Sequence, residues 1–463
     1  MGAGFTSSGF TSGFSWGQIA RLGLVQTALG AVVVLITSTI NRVMVVELAL
    51  PALVPGALLG LHYAVQMLRP RWGYGSDRHG RRTPWIVGGM AALCLGGFGA
   101  ACATALAETQ LAAGMGLAVL AFLLVGMGAG AAGTSLLVLL AGGVAEARRG
   151  AAATIVWVMM IAGFAVTAPL AGHFLDPFSG ARLMAVSGTV SLLAFAVACL
   201  AVSGVEGRIT APAEGGPQKA PFSAVLRKVL AEPAARRFTV FIFVSMLAYS
   251  AQELILEPYA GLAFAMTPGA TTKLAGLQHG GVLAGMLAVA AVTAGIGGPV
   301  LGSLRLWTVA GCLGSAVALL AIAMGATLGP DFPMRAAVFA LGFSNGVYAV
   351  AAIGSMMGLA GAGGPAERGT RMGVWGAAQG VAFGAGGFLG TLAVDLARLA
   401  ASEPARAYAA VFAAEAVLFV LSALIALRLA PSDGSNALAR TARFSLAFPA
   451  EVEAGSAQGH AAR

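Results

Sequence analysis

Two short runs hold most of the ionisable side chains that interrupt apolar sequence. One is Asn41-Arg42 followed by Glu47; the other is Gln252-Glu253 followed by Glu257 and Tyr259. Keeping a charge inside a long apolar run is costly, so such a group faces a cavity or a partner. Carboxylates placed there can take up and release protons, and a guanidinium can pair with them. Arg42 with one of these carboxylates would form a network closing one side of a helical bundle. That is the chemistry of a substrate or proton site. A structural clamp between helices uses the same residues, and simple interfacial exposure accounts for Glu47. Glu415 sits similarly in the last apolar run. His62 and His279 are the two histidines well inside apolar runs. A neutral imidazole has one donor and one acceptor nitrogen. Each is therefore read either as a hydrogen-bonding group to a neighbouring helix or as a metal-ligating one. Cys94, Cys102, Cys199 and Cys312 all fall in apolar runs without a Cys-x-x-Cys pair, which speaks against a disulfide framework or a zinc site.

The elements that must position these groups follow from composition. The chain is 58% hydrophobic and 10% charged, with a mean hydropathy of +0.86, whereas soluble domains carry about 25% charged residues. No water-soluble fold hides this much apolar surface, so the class is an all-α polytopic membrane protein in a lipid bilayer. A span needs about 20 mainly apolar residues. Twelve are read, at 20–41, 48–68, 85–106, 113–141, 151–173, 182–203, 237–258, 274–298, 305–328, 335–359, 372–395 and 407–429. They give an amino-terminal segment 1–19, a six-helix half 20–203, a linker 204–236, a second six-helix half 237–429 and a tail 430–463. Residues 1–18 lack the basic start of a cleavable signal peptide.

Lys and Arg fix an expected orientation. Of the 27, 21 fall on the side that carries the termini and the linker, and five on the other. The positive-inside rule then places both termini in the cytoplasm. It also accounts for the formal net charge of +9 without a nucleic-acid partner. The six tryptophans fall at the same ends of the spans, as an interfacial belt does.

The halves repeat weakly. Glu146-Ala-Arg148-Arg149-Gly150 with Trp157 after span four corresponds to Glu367-Arg368-Gly369 with Trp375 after span ten. Such repetition suits two halves facing a cavity at the membrane midplane. Glycines such as Gly126 and Gly130 in span four, and Gly380, Gly384, Gly386, Gly387 and Gly390 in span eleven, suit close helix packing. A smooth wall for a large flat ligand is the other reading.

The loop after span two contains Gly73-x-x-x-Asp77-Arg78-x-Gly80-Arg81-Arg82. It resembles the signature between helices two and three of the major facilitator superfamily (MFS), which implies a six-plus-six pseudo-symmetric twelve-helix fold. The resemblance makes Gly73, Asp77, Arg78, Gly80, Arg81 and Arg82 a candidate gate loop, with Asp77 holding an arginine in one state. A solvated basic loop is the plainer alternative.

Three further stretches narrow the resemblance: Arg21-Leu-Gly-Leu-Val-Gln26, Asn41-Arg42-Val-Met-Val-Val-Glu47-Leu48 and Gln252-Glu253-Leu-Ile-Leu-Glu257-Pro258-Tyr259-Ala-Gly261. Together they resemble the PucC/LhaA family of purple photosynthetic bacteria, and most of all its branch labelled bacteriochlorophyll synthase chain. The resemblance implies a photosynthetic cytoplasmic or intracytoplasmic membrane. It implies bound bacteriochlorophyll or a precursor rather than a covalent cofactor, with His62 and His279 as candidate chlorin ligands. Light-harvesting polypeptides or pigment-synthesis enzymes are the implied partners. The chain has no Asp-x-x-x-Asp motif of the kind that holds a magnesium diphosphate in prenyl transfer, so an enzyme is not expected. The expected function is a carrier or delivery factor for bacteriochlorophyll or its precursors. A non-transporting assembly scaffold, or a proton-coupled exporter of small amphipaths using Glu253 or Glu257, are the alternatives.

Overall fold

The computed structural model describes residues 14–68, 81–144, 148–206, 231–293, 303–362 and 365–429. Twelve long helices account for almost all of them. They are α1 (Trp16–Glu47), α2 (Leu53–Gln66), α3 (Thr83–Ala107), α4 (Leu111–Gly143), α5 (Arg149–Leu175), α6 (Gly180–Val202), α7 (Pro233–Phe264), α8 (Pro268–Ala291), α9 (Leu304–Leu328), α10 (Met334–Ala362), α11 (Pro365–Ala400) and α12 (Pro404–Leu427). In hydrocarbon each backbone polar group must be satisfied within the segment, which leaves the helix as the natural form for these runs. Local sequence sets the starts. Ser15 forms a capping box with Gln18, Ser179, Thr267 and Ser303 cap α6, α8 and α9, and proline opens α7, α8 and α12.

Eleven of these helices are long and apolar enough to cross a membrane. Expected boundaries shift, among them those of spans one, two, seven, eight (which starts at Pro268) and eleven (Pro365–Ala400). Span one does not end at residue 41: it continues through π-helical turns at Leu35–Ile40 and Val43–Glu47, so Glu47 belongs to the helix and not to a turn after it. Span two is shorter than 48–68, because Ala49 adopts a positive φ of 52° and Pro51 follows, which delays the helix to Leu53. Span seven starts at Pro233, inside the expected linker.

Packing repeats with an offset of six helices. In the first half α1 packs on α5 and α6, α3 on α4 and α6, and α2 on α4. In the second α7 packs on α11 and α12, α9 on α10 and α12, and α8 on α10. The halves meet along α2–α11 and α5–α8, two seams that the same offset interchanges. Glycine makes the close approaches. A Cβ on Gly126 would meet the His62 carbonyl at 2.6 Å, and one on Gly386 the Leu247 carbonyl at 2.4 Å. Large apolar side chains such as Leu95, Leu120, Leu192, Leu200, Val317 and Val417 stay exposed on the outside. A belt of that kind suits lipid and not water.

Candidate functional site between the halves

Helix α1 departs from regular geometry where it reaches the second half. Its π turns at Leu35–Ile40 and Val43–Glu47 carry Thr37, Ser38, Thr39, Asn41 and Arg42 in or between them, all buried. Turns of this type are rare and often mark functional positions. Thr39 and Thr272 of α8 share a hydroxyl hydrogen bond of 2.8 Å, and Asn41 Nδ2 donates to the Leu254 carbonyl of α7 at 2.7 Å. Arg42 pairs through Nη1 with Glu47 and donates from Nη2 to the Met266 carbonyl at 2.7 Å. The acid that Arg42 pairs with is Glu47, five residues away on the same helix, where the π turns bring the two side chains to one face.

The α7 residues divide. Gln252 is fully buried with neither amide atom bonded, and Glu257 is buried with Oε2 unbonded among the described residues. Among the described residues, Ser38 Oγ, Asn41 Oδ1 and Arg42 Nε across the seam also lack a well-formed hydrogen bond. Glu257 faces Ser38, Thr271 and Arg42, while Glu253 faces Thr37. Glu253 is half-buried. Tyr259 turns away from this region. It is fully buried in the second half, its hydroxyl donates to the Ile322 carbonyl at 2.8 Å, and its ring meets Phe264, Tyr408 and Phe412.

Three aromatic residues that sequence reasoning missed converge beside Glu253. Phe383 of α11 lies 5.7 Å from Tyr63 of α2 and 5.8 Å from Tyr249 of α7, centroid to centroid. All three rings are half-buried, and Tyr249 is close to Glu253. One comes from the first half and two from the second. Tyr63 meets Phe383 across the α2–α11 seam, and Tyr249 meets Phe383 where α7 packs on α11.

The histidines are not together and are not equivalent. Gln66 Nε2 lies 2.6 Å from His62 Nε2; an amide nitrogen can only donate, so that imidazole lone pair is taken. His279 Nδ1 lies 2.9 Å from the Ala275 carbonyl and must donate to it, which leaves the lone pair on Nε2. Phe164 of α5 meets the His279 ring edge-on at 4.7 Å. Of the candidate gate loop, Gly73, Asp77, Arg78 and Gly80 lie outside the described residues. Arg81 and Arg82 lead into α3, where the carboxylate of Glu206 accepts from the main-chain N–H groups of Arg82 and Thr83, the latter at 2.7 Å. An acid at a helix N-terminus complements the orphan donors there.

The family model described as PUCC protein matches residues 39–433. The chain belongs to the PucC family. This PucC-family chain is 52% identical over 422 residues to the "Bacteriochlorophyll synthase 44.5 kDa chain" of Rhodobacter capsulatus, covering 91% of this chain and 97% of that protein. It is 30% identical over 436 residues to "Protein PucC" of Cereibacter sphaeroides, covering 89% and 92%. Among solved structures, a bacterial homolog of the human lysosomal transporter Spinster, inward-facing and unoccupied, aligns with a TM-score of 0.60 at 14% identity, over 94% of this chain and 98% of that one. A proton-dependent oligopeptide transporter structure aligns with a TM-score of 0.63 at 15% identity, over 90% and 98%. The PucC-family fold here is therefore the six-plus-six MFS fold, in a multi-pass membrane protein.

Proposed function

We propose that this chain is a membrane carrier that handles bacteriochlorophyll or a precursor of it and delivers pigment during assembly of photosynthetic complexes. The observation that carries this reading is the half-buried trio Tyr63, Phe383 and Tyr249 at the seam between the halves. Half-buried aromatic rings near a carboxylate offer stacking to a flat conjugated ring and a polar contact to its substituents. The names of the relatives point to the same pigment. A site built from both halves gains and loses one wall when the halves rock, which is the logic of alternating access.

The residues also fit the pigment's magnesium. His279 holds its proton on Nδ1, which leaves the lone pair on Nε2 of a buried ring, with a carbonyl fixing the tautomer; ligating imidazoles are commonly held this way. His62 is not so prepared. The word synthase in one relative's name finds no diphosphate-binding aspartates in this sequence, and the reading here is of a carrier and not an enzyme. The Lys/Arg asymmetry puts the termini side in the cytoplasm, with the cargo entering from the photosynthetic membrane.

The test is purification of the full-length protein in mild detergent from a bacteriochlorophyll-producing host, followed by absorption spectroscopy and pigment analysis. Stoichiometric pigment is expected. A protein that brings down antenna polypeptides but no pigment of its own is a scaffold. One that shows proton-dependent flux of small amphipaths in vesicles and no chlorin is an exporter. Either result overturns the carrier reading.

A further inference from the structure

Two aspartates outside the site just described make the same contact at symmetry-related places. Asp176 follows α5 directly. Its carboxylate accepts from the Gly269 main-chain N–H at 3.2 Å and from the Thr267 hydroxyl at 3.0 Å, at the N-terminus of α8. Asp395 lies near the end of α11. Its carboxylate accepts from the main-chain N–H groups of Ala52 at 3.0 Å and Leu53 at 2.7 Å, at the N-terminus of α2. The six-helix offset that turns α5 into α11 turns α8 into α2. These are two copies of one device, and each joins one half to the other.

Each carboxylate is backed by a close approach one turn earlier. Four residues before Asp176, the carbonyl of Gly172 would lie 2.4 Å from a Cβ on Gly269. Four residues before Asp395, Thr391 Oγ1 would lie 2.0 Å from a Cβ on Gly56. Both contacts lie on the side opposite the termini. There Arg42 also reaches across to the Met266 carbonyl. Among the described residues, the hydrogen bonds that join the halves lie on that side or at mid-depth.

We infer that Asp176 and Asp395 form a paired latch that holds the two halves closed on the side opposite the termini. The latch is a carboxylate set on the exposed N–H groups of a helix start, so it draws on the helix dipole and needs no basic partner. Such a contact makes or breaks with a small displacement and leaves no buried charge behind. Separation of α5 from α8 and of α2 from α11 breaks both copies at once, which makes the opening cooperative. The inference rests on the reading that the halves move as a carrier's do, and the readouts below separate the two.

The test uses spin labels at Gln110→Cys and Ser402→Cys, exposed turns of the two halves on that side, in an otherwise cysteine-free full-length chain in nanodiscs. Pulsed dipolar spectroscopy reports the distance distribution. Asp176→Ala with Asp395→Ala is expected to raise the ratio of the long-distance to the short-distance population roughly tenfold, the scale of removing two carboxylates from helix N-termini. Each single change is expected to give a smaller rise. Should the double variant not fold, Asp176→Asn with Asp395→Asn is the second route, since the amide keeps the shape of the side chain and removes its charge from the helix start. An unchanged distribution in folded variants overturns the latch, whatever the pigment content. A shifted distribution in a protein that binds no pigment upholds the latch and defeats the cargo reading alone.

Discussion

Asn41 on α1 donates its side-chain amide to the carbonyl of Leu254 on α7, 2.7 Å away. That carbonyl would ordinarily accept from residue 258 of its own helix, but residue 258 is a proline inside α7 and has no N–H to give. The side chain of one half thus fills a gap that proline opens in the other. The bond lies next to Glu253 and fixes where the π-helical part of α1 touches α7.

Asn41→Ala leaves the Leu254 carbonyl buried and unpaired, which costs about 1–3 kcal/mol. Thermal unfolding of the detergent-solubilised protein is expected to show the loss as a lower midpoint. Adding Pro258→Ala returns an N–H to the helix, and the double variant should lose less than Asn41→Ala does. Equal or greater loss in the double variant would show that Leu254 has no need of Asn41.

Phe383 makes both ring contacts of the aromatic trio. Its replacement by alanine removes a ring on which pigment would stack, a contact worth about 0.5–1.5 kcal/mol, so retained pigment should fall roughly two- to tenfold at limiting pigment. Tyr259→Phe lies in the core of the second half and loses only the bond to Ile322. It should cost about 1 kcal/mol of stability and leave pigment unchanged. Equal pigment in Phe383→Ala and the parent protein would remove the trio from the site.

The two histidines should behave differently under the same substitution. His279→Ala removes a prepared Nε2 lone pair, and the lowest-energy absorption band of bound pigment is expected to shift or vanish. His62→Ala loses the Gln66 contact and should alter stability without moving that band. A shift on His62→Ala alone would reverse the assignment.

Glycine at position 346 is required by the α8–α10 contact, where a Cβ would meet the Val282 carbonyl at 2.0 Å. Gly346→Ala is expected to cost about 1–3 kcal/mol through overpacking, visible as a lower unfolding midpoint. Gly380→Ala is the control. A Cβ there meets nothing within 4 Å, and its helix gains propensity, so its midpoint should hold or rise. A fall at Gly380 matching that at Gly346 would mean that packing is not the cause.

The number of helices, their grouping into six and six and the family were legible in the residues themselves. Apolar length, punctuation by polar loops and short motifs are local properties, and a bilayer leaves each such run one way to satisfy its backbone. The sequence also marked Arg42, Glu253 and Glu257, because a charge in an apolar run stands out wherever it points. Direction was another matter. The helices are apolar nearly all round, so no periodicity tells a cavity face from a lipid face or a packed one. Whether Arg42 meets Glu47 or an α7 acid depended on π turns in α1. Tyr63, Tyr249 and Phe383 look like ordinary membrane aromatics until the packing of α11 on α2 and α7 brings them together. Tyr259, inside the right motif, turns into the core, while Asp176 and Asp395, outside any motif, bridge the halves. Those outcomes depend on how helices distant in sequence cross. That geometry is set by glycine contacts and a proline gap summed over the whole bundle, and no single stretch of chain contains it.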